Sequence, residues 1–204
     1  MGEAKRRHKV EAEKFSSTSP MRRSRFTLLT IGTRMAMTAY MSDELSWWTS
    51  ADERVLGLVA LDQTDKDFLW VIFLRDRIGR FRCSDIKTSV GSKVRAESDL
   101  RIEMSELVGS DKIAEFGIQG DETNNPINLF ELPADQDHDK LHPFYKILKD
   151  DPAREPARLV LSELSRWLAP ADPHLVREFQ TTGFDPRIWE FYLWAAFKKF
   201  FFGR

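Results

Sequence analysis

The sequence predicts an α+β fold, an antiparallel β-meander with helices followed by an α-helical C-terminal part. Three observations predict it. Val55–Leu61 and Phe68–Leu74 are short runs that are apolar on both alternating faces and rich in Val, Leu, Ile, Phe and Trp, the composition of buried strands. Arg80–Lys87 returns as a third, more polar run after the turn Asp76-Arg77-Ile78-Gly79, which places it nearer a sheet edge. The last third of the chain carries apolar residues at helical spacing, as in Leu159, Val160, Leu161, Leu164, Trp167 and Leu168.

The elements follow in chain order. Residues 1–25 hold eight Lys/Arg against three Glu, a local net of +5 in a chain whose overall charge is −1. This segment has no apolar stripe and runs into Ser16–Pro20, so it reads as a basic, disordered arm. Phe26–Ile31 suits a strand and Arg34–Met41 a helix, with Trp47 and Trp48 after a short acidic turn. Asp62–Asp67 is a polar loop between the first two strands. Lys93–Val108 has a partial helical pattern stopped by Gly109. Ile113–Ile118 and Ile127–Leu132 read as two more strands flanking a turn-prone polar stretch. The expected helices thereafter are His142–Leu148, Ala157–Leu168, a short one from Pro173 to Phe179, and Ile188–Phe202 with Asp185 as its cap and Pro186 at its first position. The expected organisation is an arm over 1–25, an α+β domain over 26–135 and a helical region over 136–204.

Composition narrows the function classes. The single cysteine, Cys83, allows no internal disulfide, and it reads as a small packed apolar residue rather than a reactive thiol. The charged N-terminus lacks a signal-peptide core, and no apolar run reaches the ~20 residues of a membrane span, so a cytoplasmic location is expected. Fifteen Phe and six Trp imply a ring-rich core or a sticky face held for a partner. Walker, dinucleotide-binding and nucleophile-elbow motifs are missing from the sequence.

Some residue patterns could carry chemistry. If the hairpin pairs Asp76 with Arg80, then Asp85 faces Val71 and Lys87 faces Leu69, and Asp67, Asp85 and Lys87 share one face. Two carboxylates and a lysine on adjacent strands can hold Mg²⁺ and stabilise a phosphate transition state, with Glu44 as a further acid. Asp67 also reads as a turn residue and Lys87 as an edge-strand guard. Asp62, Asp65 and Asp67 lack the spacing of a calcium loop. His138 and His142 are four apart, but Pro143 breaks the helix they would need to share, so no metal site is assigned. Lys5, Arg6, Arg7, Lys9, Arg22, Arg23 and Arg25 are the candidate nucleic-acid contacts.

The acid…acid-x-Lys spacing resembles that of restriction-endonuclease-like nucleases. Phe184-Asp185-Pro186-Arg187-Ile188-Trp189-Glu190 likewise resembles the opening helix of such a nuclease domain in bacterial proteins, over roughly the last 25 residues. The resemblance implies that Glu190 is the metal-facing acid and that a strand pair with the remaining acids and lysine should follow. The chain instead ends in Lys198-Lys199-Phe200-Phe201-Phe202-Gly203-Arg204. That ending fits a shortened reading frame, a docking helix for a partner or an interfacial anchor. The expectation is a non-catalytic binding protein, with nucleic acid on the arm and a protein partner or a second copy on the aromatic terminal helix. A metal-dependent nuclease using Mg²⁺ is the alternative.

Overall fold

The computed structural model describes residues 17–33, 40–108, 110–116, 120, 127–134, 137–167 and 174–202. The chain divides into two compact units, residues 1–119 and 120–203. The α+β class stands: a five-stranded antiparallel sheet is followed by helices.

In the first unit, β1 (Thr18–Pro20), β2 (Ser42–Ser50), β3 (Val55–Asp62), β4 (Phe68–Arg75) and β5 (Phe81–Val90) lie side by side in sequence order. Helix α1 (Arg23–Leu29) precedes β2, and α2 (Lys93–Val108) follows β5. The central strands are apolar on both faces because each face is covered. Val55, Val59, Trp70, Ile72, Leu74 and Val90 pack with Ala96, Leu100 and Met104 of α2. Leu56, Leu58, Val71, Phe73 and Phe81 pack with Phe26 and Leu29 of α1. Each such side chain, removed fully from water, contributes about 1.5–3 kcal/mol. Gly57 lets α2 approach: a Cβ there would lie 2.5 Å from Met104 Sδ and 2.9 Å from Leu100 Cδ2.

Several expectations are corrected here. Phe26–Ile31 is mostly helix, because Phe26 and Leu29, three apart, present one apolar face to the sheet, and the Thr30 hydroxyl donates to the Phe26 carbonyl (2.8 Å). The strand Ser42–Ser50 replaces the expected acidic turn. Its polar half gives no alternation, and a bulge between Glu44 and Ser46 interrupts its period. Residues 18–25 are not a disordered arm: Thr18–Pro20 pairs with β2, and Arg23 and Arg25 lie in α1. Of the expected strand Ile113–Ile118, residues 113–115 lie in a short helix, α3 (Lys112–Glu115), and 117–118 lie outside the described residues, while 127–132 forms no strand. Of the expected helix at Arg34–Met41, residues 34–39 lie outside the described residues, while Tyr40 and Met41 are helical.

The second unit contains α4 (Pro143–Asp150), α5 (Glu155–Ser165), α6 (Leu175–Gln180) and α7 (Phe184–Phe202). Its core is a ring cluster around Phe179, which meets Tyr145, Phe130 and Phe191 edge-on at 5.8–6.1 Å and Phe184 tilted at 5.4 Å. Aromatic pairs at such geometry add about 0.5–1.5 kcal/mol each beyond area burial. The terminal helix begins one residue before the expected cap, so Asp185 is an acid in its first turn. Among the described residues no helix is long and apolar enough to cross a membrane.

Candidate nucleic-acid interface

The proposed acid–acid–lysine constellation does not assemble. The hairpin register matches expectation through Phe73–Cys83, then a bulge leaves Ser84 unpaired, so Asp85 faces Ile72 and Lys87 faces Trp70. One extra residue moves both side chains to the α2 face. Lys87 there donates to Asp99 of α2 (3.1 Å). Asp67 lies one residue before β4, and alternation carries it to the other face, as it does Glu44 opposite Ala60. Glu44 accepts from Trp47 Nε1 (3.3 Å) and pairs with Arg23 (3.8 Å). Among the described residues no group of three His, Cys, Asp or Glu is placed to hold a metal ion. Glu190 belongs to the second unit, where it accepts from Arg187 (2.6 Å).

Other candidates also have local roles. Asp62 caps its own loop by accepting from Thr64 N–H (2.7 Å), and that bond, first among the causes, holds its carboxyl below the usual range. His138 sits in a short 3₁₀ turn, while His142 precedes α4 and stacks on Phe184 (5.0 Å), so the two share no helix. Cys83 is exposed on the edge strand rather than packed.

The cationic candidates divide. Lys5, Arg6, Arg7 and Lys9 lie outside the described residues. Arg22 is exposed at the start of α1, and Arg23 lies over the Trp47 ring (5.7 Å). Arg25 is clamped to both Glu53 oxygens (3.2 and 2.6 Å), so its charge is spent inside the protein.

A further concentration of positive charge lies in the β4–β5 hairpin. Its stretch Arg75-Asp76-Arg77-Ile78-Gly79-Arg80-Phe81-Arg82 has four arginines and one acid. Asp76 is buried and organises the turn. One carboxylate oxygen accepts from the backbone N–H of Ile78 (3.1 Å) and Arg80 (2.8 Å), and the other accepts from Arg80 Nε (2.8 Å) and Arg82 Nε (3.2 Å). Gly79 takes φ +86°, closing the turn with its N–H on the Asp76 carbonyl (2.9 Å). The Arg75 guanidinium donates to the Gly79 carbonyl and lies over the Phe81 ring at 4.1 Å, within cation–π range. Arg77 projects into solvent. Two guanidiniums, Arg80 and Arg82, are thus held on one buried carboxylate, with Arg75 fixed beside them on the Gly79 carbonyl and Arg77 exposed.

The sheet register brings a second turn beside this hairpin. Val55 pairs with Leu74, so the turn Ala51–Arg54 adjoins Arg75. On the two turns and Arg25 of α1, six guanidiniums (Arg25, Arg54, Arg75, Arg77, Arg80, Arg82) stand with three carboxylates (Asp52, Glu53, Asp76), a local surplus of three positive charges in a chain of net −1. Burial alone would raise the Asp52 carboxyl, but hydrogen bonds from Ser50 and Arg54 and the Arg54 charge together leave it below its ordinary value. Ser17 lies at the same end, preceding the Thr18–Ser50 pair and donating to Ser105 of α2 (3.0 Å). Ser17 and the hairpin thus share one end of the sheet, at its opposite edges. Four arginines in eight residues are a direct sequence signal for this patch.

No family model, curated protein or solved structure matches this chain.

Proposed function

We propose that the chain is a non-catalytic nucleic-acid-binding protein that holds the phosphate backbone against the arginine-rich end of its sheet. The supporting observation is the surplus of three positive charges on the two turns and Arg25, with Arg80 and Arg82 among them fixed by one buried carboxylate. Guanidiniums pair with phosphate oxygens through two parallel N–H donors, and fixed ones lose less side-chain entropy on binding. In this reading Lys5, Arg6, Arg7 and Lys9 supply further phosphate contacts. Contacts of this kind position without reading sequence, so weak base preference is expected.

The test is fluorescence anisotropy with a short duplex across a salt series. Each phosphate neutralised contributes a slope of about −0.9 in log affinity against log salt, so four contacts give roughly −3.6. Arg77→Ala should flatten the slope by about one contact, and removal of residues 1–16 should flatten it further. A salt-independent affinity, or an Arg77→Glu variant that binds as well as the parent, rejects the reading. Mg²⁺-dependent cleavage that survives in the parent and vanishes in Asp85→Ala would instead favour the nuclease alternative.

A further inference from the structure

Building on the nucleic-acid reading above, we infer that Glu53 is a stand-in for phosphate: its carboxylate occupies the Arg25 guanidinium in the free protein, and a phosphate of the nucleic-acid backbone displaces it on binding. The β2–β3 and β4–β5 turns are built alike. The Glu53 N–H closes on the Ser50 carbonyl (3.0 Å) as the Gly79 N–H closes on the Asp76 carbonyl (2.9 Å). Both closing residues are left-handed, Gly79 at φ +86° and Glu53 at φ +52°. Glycine takes that conformation freely, whereas a residue with a Cβ is disfavoured there. A glutamate thus stands where the neighbouring turn has its glycine, and its side chain is not what holds the turn. Ser50 and Asp52 hold it: the Ser50 hydroxyl donates to Asp52 (2.6 Å) and accepts from the N–H of Val55 (3.0 Å), and Asp52 accepts from the N–H of Arg54 (3.1 Å).

The Glu53 carboxylate reaches out of the turn and meets Arg25 of α1 with both oxygens (3.2 and 2.6 Å). Two N–H donors on two anionic oxygens is also the geometry by which a guanidinium holds a phosphate. The clamp is open to solvent, with the side chains of Arg25 and Glu53 31% and 36% exposed. As a brace for α1 it adds little, because an ion pair so exposed is weak and Phe26 and Leu29 already bury the helix against the sheet. Its cationic surroundings draw the competing anion. Arg54 follows Glu53 in the chain, and Arg54 and Arg75 are the next positions beyond the Val55–Leu74 pair. A backbone phosphate entering beside them takes over the Arg25 donors. The released Glu53 can then leave the left-handed conformation, which offsets part of the cost of opening the clamp.

The test is a double-mutant cycle of Glu53→Gly and Arg25→Ala in the full chain, read by fluorescence anisotropy with a short duplex at fixed salt. Glu53→Gly should tighten binding about three- to fivefold, the scale of one exposed ion pair. Glu53→Gln, which keeps the side chain's length and removes its charge, should tighten it likewise. The gain should vanish when Arg25 is also replaced by Ala, since no clamp remains to be opened. A gain of the same size in the Arg25→Ala background marks simple loss of negative charge and overturns the inference while leaving the nucleic-acid reading in place. An unchanged affinity in Glu53→Gly does the same. Thermal unfolding separates a competitor from a brace: Glu53→Gly should melt no lower than the parent, and a lower melting temperature with weaker binding overturns the inference. Parent and variants that all fail to bind the duplex overturn it together with the reading beneath it.

Discussion

Asp76 is the residue whose removal should most disturb the arginine hairpin. Its carboxylate accepts two backbone N–H bonds and two guanidinium bonds at 2.8–3.2 Å while fully buried. In Asp76→Ala the two backbone donors lose their acceptor, which costs about 1 kcal/mol each. The two guanidiniums lose their counter-charge. Breaking a wholly buried pair costs roughly 3–5 kcal/mol, but Arg80 and Arg82 retain some contact with water, so about 1–2 kcal/mol is expected for that part. The sum is about 3–4 kcal/mol, a large share of the 5–15 kcal/mol that typically stabilises a domain. Asp76→Asn keeps an oxygen for the backbone donors and removes only the charge, so it should cost roughly half as much. Urea unfolding followed by tryptophan fluorescence reads both values, since Trp47, Trp48 and Trp70 report on the sheet. If Asp76→Ala costs under about 1 kcal/mol, or if Asn and Ala cost the same, the carboxylate does not organise the hairpin as described.

Three further outcomes follow from the same packing. Gly57→Val should destabilise the first unit by about 1–3 kcal/mol, because the new side chain meets Met104 and Leu100 of α2, and Met104→Ala in the same chain should recover part of the loss in thermal unfolding. Phe179→Ala should cost about 3–5 kcal/mol and weaken amide protection in α4, α6 and α7 while leaving β3 and β4 protected in hydrogen exchange. Burial pushes the Tyr145 phenol up to about 12 from its ordinary 10. The neutral form is thus favoured in the folded state, so its contribution is intact below pH 10 and is lost as pH climbs through about 12. Tyr145→Phe should lack that alkaline loss of stability, as read by unfolding curves at rising pH beside a tyrosinate absorbance titration.

How much was legible depended on whether a residue's environment repeats along the chain. β3 and β4 were clear because both of their faces are buried, which leaves an unbroken apolar run. β2 was hidden because Ser42, Asp43 and Glu44 are polar and a bulge spoils the alternation before Trp47. The candidate metal face failed on a single residue. Nothing about Ser84 marks it as a bulge in a string of letters, yet it decides which side Asp85 and Lys87 occupy. The hairpin arginines were visible as residue types, but their common end of the sheet comes from strand pairing. In the terminal helix the period was plain. Phe191 and Trp189 are both aromatic, however, so composition could not say which of them faces inward.

The bulges at Ser84 and near Ser89, whose φ is +58°, have a consequence for how the chain behaves in a crowded solution. β5 is ten residues long and stands at the margin of the sheet, where a straight strand would offer a template for another protein's backbone. Two kinks within seven residues break that template into pieces too short to be copied, and Asp85 and Lys87 add charge along it. The irregularity that dismantles a catalytic arrangement thereby also works against molecules zipping together sheet to sheet.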